Sequence, residues 1–161
     1  EPDRVISAAK RMLQASKLLN IPLLVTEQHP AKLGSTFSEL MLPPSTPVFP
    51  KTRFSMLIPP VQDFLKKHDK TEVVLFGVET QVCIQQTCLE LMNNGYRVWV
   101  LADGVTSRNP QEIGIALDRM RTNGAAVTTS ESILFELVRD SEDPAFREFS
   151  AMIKAGSPWS T

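Results

Sequence analysis

The chain has 161 residues, of which 42% are apolar and 22% are charged, the composition of an ordinary globular domain. Its 17 Lys and Arg residues nearly balance 18 Asp and Glu residues, and the net charge of −1 argues against nucleic acid and anionic membranes as partners. The apolar runs have the length of strands, so the sequence predicts no membrane-spanning helix.

The first half of the chain predicts a helix, a short strand and a long loop. Apolar positions recur near helical spacing over residues 2–20, which indicates an amphipathic helix. A short apolar strand is predicted at residues 21–25. Prolines interrupt the following segment so often that residues 27–50 are predicted as mostly irregular loop, with a helical turn near residues 37–41.

In the second half, buried strands alternate regularly with helices. The predicted elements are helix 59–68, strand 72–76, helix 82–94, strand 97–102, helix 109–123, strand 125–128, helix 130–139 and a short helix from residue 143. Strands with nearly continuous apolar runs between helices indicate a parallel sheet covered on both faces. We therefore expect a single α/β domain over residues 1–161, a Rossmann-like three-layer α/β/α arrangement.

The carboxyl ends of the strands are the expected ligand-binding edge of such a sheet. Glu27 and Asp103 each follow or end a predicted strand there, and both are candidate substrate contacts. An aspartate at that place also commonly caps a turn through its own side chain, so a structural role for Asp103 is the alternative. Phe54 is a further candidate for lining a pocket, with core packing as its alternative.

Cys83 is the candidate nucleophile of the sequence. The buried strand at residues 72–76 leads to Gly77, and six residues later Cys83 stands in the first turn of the next helix. The unpaired amides and the positive dipole end of a helix favour a thiolate there. Backbone amides of the preceding turn would suit a developing oxyanion, as acyl transfer to sulfur requires. The alternative is that Cys83 is a small buried apolar residue.

Cys83 and Cys88 are the two cysteines of the chain. Five residues apart on a helix, their side chains would point in very different directions, which disfavours a disulfide between them. The spacing of Cys and His residues matches no metal-site pattern, so we predict no metal. Without a disulfide framework, a reducing compartment is expected, with a cytoplasmic location favoured and mitochondria left open.

Several motifs together resemble the isochorismatase-like cysteine hydrolases, and most closely the isochorismatase-domain-containing proteins. The resemblance runs in the same order through nearly the whole chain. The matching segments are Leu24-Val-Thr-Glu-Gln28, Pro50-Lys-Thr-Arg-Phe-Ser-Met56, Gly77-Val-Glu-Thr-Gln-Val-Cys83, Val100-Leu-Ala-Asp-Gly104 and Met120-Arg-Thr-Asn-Gly124.

The resemblance implies an Asp-Lys-Cys triad acting without a cofactor. Cys83 matches its nucleophile, and Lys51 matches the lysine that holds the thiolate. The Val78–Glu79 bond matches a non-proline cis peptide, whose inferred purpose is to aim the amide of Glu79, with that of Cys83, at the oxyanion. Family members with this cysteine are amidases, which favours a small amide-like substrate. Homo-oligomers are common in the family, so we expect a homo-oligomer, with Phe37 and Met41 as candidate contacts.

The sequence departs from the family pattern in two respects. The triad aspartate ends the first, central strand of the fold, and no residue of this sequence is assigned to it. We expect that an upstream segment carries this strand and its aspartate. The nicotinamidase branch binds a metal through an aspartate and two histidines, whereas His29 is the only histidine in the corresponding region.

Three functions remain open on the sequence alone. The first is a cofactor-free hydrolase of a small amide-like compound, with an acyl group carried on Cys83. The second is a catalytically silent binding or scaffolding protein that keeps the fold. The third, a redox-sensing thiol, is disfavoured because Cys88 is badly placed to resolve an oxidised Cys83.

Overall fold

The computed structural model describes residues 2–155, in which helices and strands alternate. The helices are α1 (Pro2–Leu18), α2 (Pro30–Leu33), α3 (Pro59–Lys67), α4 (Gln85–Asn93), α5 (Gln111–Thr122), α6 (Ser130–Val138) and α7 (Phe146–Ala155). The strands are β1 (Val25–Gln28), β2 (Val48–Lys51), β3 (Glu72–Val78), β4 (Arg97–Thr106) and β5 (Ala126–Thr128). A short 3₁₀ turn at Ser38–Leu40 falls within the helical turn predicted near residues 37–41.

All strand pairs are parallel, as the alternation of strands and helices predicted. β1 pairs with β2, and β3, β4 and β5 form a second group in that order. Within the described residues, β1 pairs with β2 alone and β3 pairs with β4 alone, so each has one unpaired edge. The register of the first pair sets Gln28 beside Lys51, at the carboxyl ends of both strands. This register decides which side chains meet at the site.

Two apolar layers cover the faces of the β3–β4–β5 sheet. Alternate residues of β4 point to opposite faces, so Val98 and Val100 enter one layer while Trp99 and Leu101 enter the other. Helices α3, α4 and α5 contribute to the first layer and helices α1, α6 and α7 to the second. The predicted three-layer α/β/α class is therefore confirmed.

An irregular segment of β4 shifts its register against β3 before the strands end. Leu75 pairs with Val100, but Gly77 pairs with Val105, so β4 carries extra residues in between. Gly104 lies within this irregular segment, and a Cβ there would stand 3.0 Å from the Cβ atoms of Leu101 and Phe76. Glycine avoids this crowding, and the irregular segment lets β4 reach Thr106 beside the end of β3.

The first strand was predicted too early in the chain. Residues 21–24 form no strand, and β1 begins at Val25, whose amide donates to the carbonyl of Pro47 at 2.9 Å. The apolar composition of residues 21–24 predicted a strand, but the hydrogen-bonded pairing with β2 begins only at Val25. Within residues 2–155, no helix combines the length and apolar character needed to cross a membrane.

Candidate active site

Cys83 lies in a distorted turn between β3 and α4. The chain leaves β3 at Val78, and Glu79 takes a left-handed conformation with φ 60° and ψ 69°. Residues Thr80–Ile84, which include Cys83, then form one π-helical turn that continues into α4. Left-handed non-glycine residues and π turns are both uncommon and both concentrate at functional sites.

The expectation of a cis peptide between Val78 and Glu79 is wrong in this structure. No cis peptide bond occurs within residues 2–155. The chain instead changes direction through the left-handed backbone of Glu79, a conformation that sequence patterns do not predict for a glutamate.

Side chains of the turn fasten it to the end of β4. Thr80 is fully buried, and its hydroxyl donates to the carbonyl of Thr106 at 2.9 Å. The Glu79 carboxylate accepts from the amide of Arg108 at 3.1 Å and from the side chain of Gln81 at 3.3 Å. These bonds explain why the left-handed residue is held in one conformation, since its carboxylate ties two loops together.

Lys51 is the last residue of β2 and is brought beside Cys83. Its side chain is buried, with 6% exposed, and Nζ lies 3.7 Å from the Sγ of Cys83. The ammonium also donates to the side-chain oxygen of Gln28 and to the carbonyls of Arg53 at 3.0 Å and Phe54 at 2.9 Å. The two residues that the family resemblance singled out, far apart in the sequence, therefore meet in the structure.

Among the described residues, no carboxylate pairs with the buried Lys51 ammonium. Burial lowers the pKa of Lys51, and the neighbouring Cys83 opposes that shift. Its oxygen acceptors are all uncharged, and no Asp or Glu of the described residues forms an ion pair with it. A buried ammonium without a counter-charge is costly. Among the described residues, Cys83 is the titratable side chain that contacts this ammonium.

Thr87 connects the cysteine turn to the loop that follows Lys51. Its buried hydroxyl donates to the carbonyl of Cys83 at 2.6 Å and accepts from the amide of Met56 at 2.8 Å. At the surface, Arg53 forms an ion pair with Glu90 of α4 at 3.1 Å. The loop carrying two of the Lys51 acceptors is therefore anchored to α4 at two points.

The structure separates the other predicted site residues. Phe54 is 52% exposed, and its carbonyl rather than its ring contacts Lys51. Asp103 accepts from the amide of Ser130 at 2.8 Å, from the Ser130 hydroxyl and from Arg11 at 3.5 Å. No described contact joins Asp103 to Lys51 or Cys83, and its capping of α6 matches the structural alternative.

Glu27 faces away from Lys51 and holds the loop after α2. One carboxylate oxygen accepts from both the amide and the hydroxyl of Thr36, each at 2.7 Å. These two hydrogen bonds lower the pKa of Glu27 below its ordinary value of 4.5. A carboxyl group whose pKa is lower in the folded state stabilises that state at pH values above its pKa in the unfolded chain. This stabilisation is lost as the pH falls through the pKa of the folded state.

We expect Glu27→Gln to lower the free energy of unfolding at neutral pH by less than about 1 kcal/mol, because the site is largely solvated. The difference from the unmodified protein should shrink as the pH falls below 4.5, where Glu27 itself loses its charge. Urea unfolding at a series of pH values measures it. The exposed Glu39→Gln is the matched control, and a difference that persists unchanged in acid would contradict the assignment.

An open cleft of about 450 Å³ lies beside Lys51, between the ends of β1 and β2. It is lined by His29, Pro30, Ala31, Pro50, Lys51, Thr52, Arg53 and Ile58. Its volume suits a small molecule. Within residues 2–155, no group of three or more His, Cys, Asp or Glu side chains is placed to hold a metal ion.

Sequence reasoning overlooked two residues that contact the Lys51–Cys83 pair. Gln28 ends the Leu24-Val-Thr-Glu-Gln28 motif, and its place after Glu27 on a strand predicts that its side chain points to the opposite side from that of Glu27. That alternation was the available signal for Gln28. Thr87 lies four residues after Cys83, so it shares one face of the helix with it, but helical spacing does not predict its bond to Met56.

Comparison with known proteins decides the family. The model of the isochorismatase domain matches residues 1–132 of the chain. The chain belongs to the isochorismatase family. Isochorismatase domain-containing protein 1 of Salmo salar is 48% identical over 155 residues, which cover 96% of this chain and 55% of that protein. The chain thus spans about half the length of this curated relative.

Two further proteins extend the comparison. Isochorismatase domain-containing protein 2 of Xenopus laevis is 44% identical over 96% of this chain and 75% of its own length. The structure of MAR1 ribonuclease from Caenorhabditis elegans is 39% identical, with a TM-score of 0.91 over 98% of this chain and 82% of that one. The resemblance and the fold class predicted from the sequence are confirmed.

Proposed function

We propose that this isochorismatase-family protein hydrolyses a small amide-like compound, with Cys83 as nucleophile and Lys51 as the cation that holds its thiolate. One observation carries the proposal. The buried Lys51 ammonium lies 3.7 Å from the sulfur and is otherwise surrounded by uncharged oxygens. A thiolate is the form of cysteine that attacks carbonyl carbon, and an adjacent cation favours it.

The proposed reaction proceeds through a covalent acyl-enzyme. The Cys83 thiolate forms a bond to the carbonyl carbon, and the oxygen takes the negative charge, which the backbone amide of Cys83 would stabilise. Collapse breaks the carbon–nitrogen bond, and the leaving amine takes a proton from a water molecule. The resulting hydroxide attacks the thioester and breaks the carbon–sulfur bond, which releases a carboxylic acid and returns the Cys83 thiolate. No residue of this sequence is assigned as the acidic member of the triad.

The proposal requires no cofactor and concerns a small molecule. The ribonuclease name belongs to the Caenorhabditis elegans protein. RNA is a less suitable substrate here, because the net charge of −1 offers little attraction for a polyanion. We also propose self-association and a reducing, cytoplasmic location. The exposure of Phe37 (61%) and Met41 (80%) supports the former, and the two unpaired cysteines support the latter.

The reactivity of the two cysteines toward iodoacetamide tests the proposal. Peptide mass spectrometry of the full-length protein, across the pH range in which thiols titrate, measures Cys83 and Cys88 in the same sample. We expect Cys83 to label rapidly at neutral pH. Cys88 should stay inert, because burial raises its pKa to about 11 and removes it from solvent.

Turnover and trapping follow with a panel of small primary amides. Ammonia release and a mass adduct on Cys83 are expected for at least one of them, and both should be lost in Cys83→Ser, while Cys88→Ser retains them. If Cys83 labels with the pH profile of an ordinary thiol and no amide forms an adduct, the proposal fails. The silent binding module then takes its place.

A further inference from the structure

A single buried hydroxyl joins the two segments that carry Lys51 and Cys83. The Oγ1 of Thr87 donates to the carbonyl of Cys83 at 2.6 Å and accepts from the amide of Met56 at 2.8 Å. A hydroxyl has one hydrogen to donate and lone pairs that accept, so both bonds form at the same time. Thr87 is only 2% exposed, which keeps water from replacing either partner.

The loop between β2 and α3 is stiffened by its own contacts. The hydroxyl of the buried Ser55 accepts from the amide of Leu57 at 3.1 Å, which closes a tight turn. Leu57 is 1% exposed and packs in the apolar layer that contains α3, α4 and α5. The bond from the Met56 amide to Thr87 therefore also places the two loop carbonyls that accept from the Lys51 ammonium.

The turn that carries Cys83 is held by a hydroxyl at each end. Before it, the hydroxyl of Thr80 donates to the carbonyl of Thr106 at 2.9 Å. After it, the hydroxyl of Thr87 donates to the carbonyl of Cys83 itself. The π-helical turn between them is an uncommon structure that concentrates at functional sites. Thr87 thus fixes the backbone of the residue whose sulfur faces Lys51.

Of the two contacts between this loop and α4, the buried one is the firmer. Arg53 and Glu90 form an ion pair at 3.1 Å, but their side chains are 58% and 29% exposed. Water and salt screen such a pair, so it contributes little. Loss of the Thr87 hydroxyl, in contrast, would leave the amide of Met56 without its acceptor, which is costly away from solvent.

We propose that Thr87 is a positioning residue, which sets the distance between the Cys83 sulfur and the Lys51 ammonium by joining the segments that carry them. This inference rests on the proposed function, since it concerns the same pair. The attraction between a thiolate and an ammonium falls with distance, and a small displacement of a nucleophile slows its attack strongly. The hydroxyl contacts backbone groups, so its role does not depend on which other groups contact Lys51.

The rate of Cys83 alkylation by iodoacetamide at one neutral pH tests this role. For Thr87→Val, which keeps the shape and removes the hydroxyl, we expect the rate to fall by about tenfold. Thr87→Ser keeps the hydroxyl and should stay within about twofold of the unmodified protein. Thr122→Val makes the same change at an exposed position of α5 and should leave the rate unchanged. Cys88 should stay inert in every variant.

Two further measurements separate positioning from a merely structural role. For an amide that is turned over, kcat of Thr87→Val should fall while KM changes little, because Thr87 is not among the residues that line the cleft beside Lys51. Hydrogen exchange needs no variant, so it tests the link even where Thr87→Val does not fold. The Met56 amide of the unmodified protein should be protected, as expected of an N–H bonded to a buried hydroxyl.

The outcomes distinguish this inference from the proposed function. If Cys83 of the unmodified protein is alkylated no faster than a thiol of the unfolded chain, the proposed function fails and the positioning role with it. A fast Cys83 that is equally fast in Thr87→Val overturns the positioning role alone, as does an unprotected Met56 amide. A loss in Thr87→Ser as large as in Thr87→Val contradicts the role of the hydroxyl, and labelling of Cys88 in Thr87→Val would ascribe the loss to an opened core instead.

Discussion

Lys51→Met is expected to slow the alkylation of Cys83 by iodoacetamide at neutral pH by about tenfold or more. The ammonium that lies 3.7 Å from the sulfur is lost, while methionine fills much of the same buried space. Iodoacetamide reacts with the thiolate and not with the thiol, so the loss of the neighbouring cation lowers the rate. Turnover of any amide substrate should fall with it.

The stability of Lys51→Met should change far less than its reactivity. Removing a buried charge relieves a desolvation cost, whereas the oxygens of Gln28, Arg53 and Phe54 each lose a donor. These contributions oppose each other, so we expect the free energy of unfolding to change by no more than about 1 kcal/mol. Urea unfolding measures this change.

Two controls accompany Lys51→Met. Lys70→Met removes a lysine at an exposed position and should leave Cys83 labelling unchanged. Cys88 in the same molecules reports any general loosening, because it becomes reactive only if its buried surroundings open. An unchanged rate of Cys83 alkylation in Lys51→Met would show that the lysine does not activate the cysteine, and it would remove the main support for the proposed chemistry.

Asp103→Ala is expected to lower the free energy of unfolding by about 2 to 4 kcal/mol. The carboxylate accepts from the amide and hydroxyl of the fully buried Ser130 at the start of α6, and from Arg11 of α1. Its removal leaves these donors unpaired and removes the polar contacts of Asp103 with α1 and α6. Cys83 labelling should stay unchanged, since no described contact joins Asp103 to that site.

The Asp103 prediction is checked by urea unfolding of matched variants. Asp103→Asn keeps an acceptor for the amide of Ser130 but loses the charge, so we expect a smaller loss than for Asp103→Ala. Asp118→Ala removes an exposed carboxylate paired with Arg121 and should cost at most about 1 kcal/mol. If Asp103→Ala has normal stability but impaired Cys83 reactivity, Asp103 becomes a candidate substrate contact again.

The sequence by itself determined the class of the fold and the place of the candidate nucleophile. Hydrophobic periodicity is a local property, and it is strongest in long elements such as β3 and the helices around it. It therefore predicted alternating helices and parallel strands, with Cys83 where a buried strand turns into a helix. The family resemblance added Lys51, which local patterns alone would leave among the solvated lysines.

The tertiary structure decided which side chains meet. The contact between Lys51 and Cys83 depends on how β2 and the β3–α4 turn are brought together, and the contact of Gln28 with Lys51 depends on the register of β1 on β2. The left-handed Glu79, in place of a cis peptide, depends on bonds to Arg108 and Gln81. Such long-range pairings leave no local periodic signal, because they are set by strand register and loop anchoring.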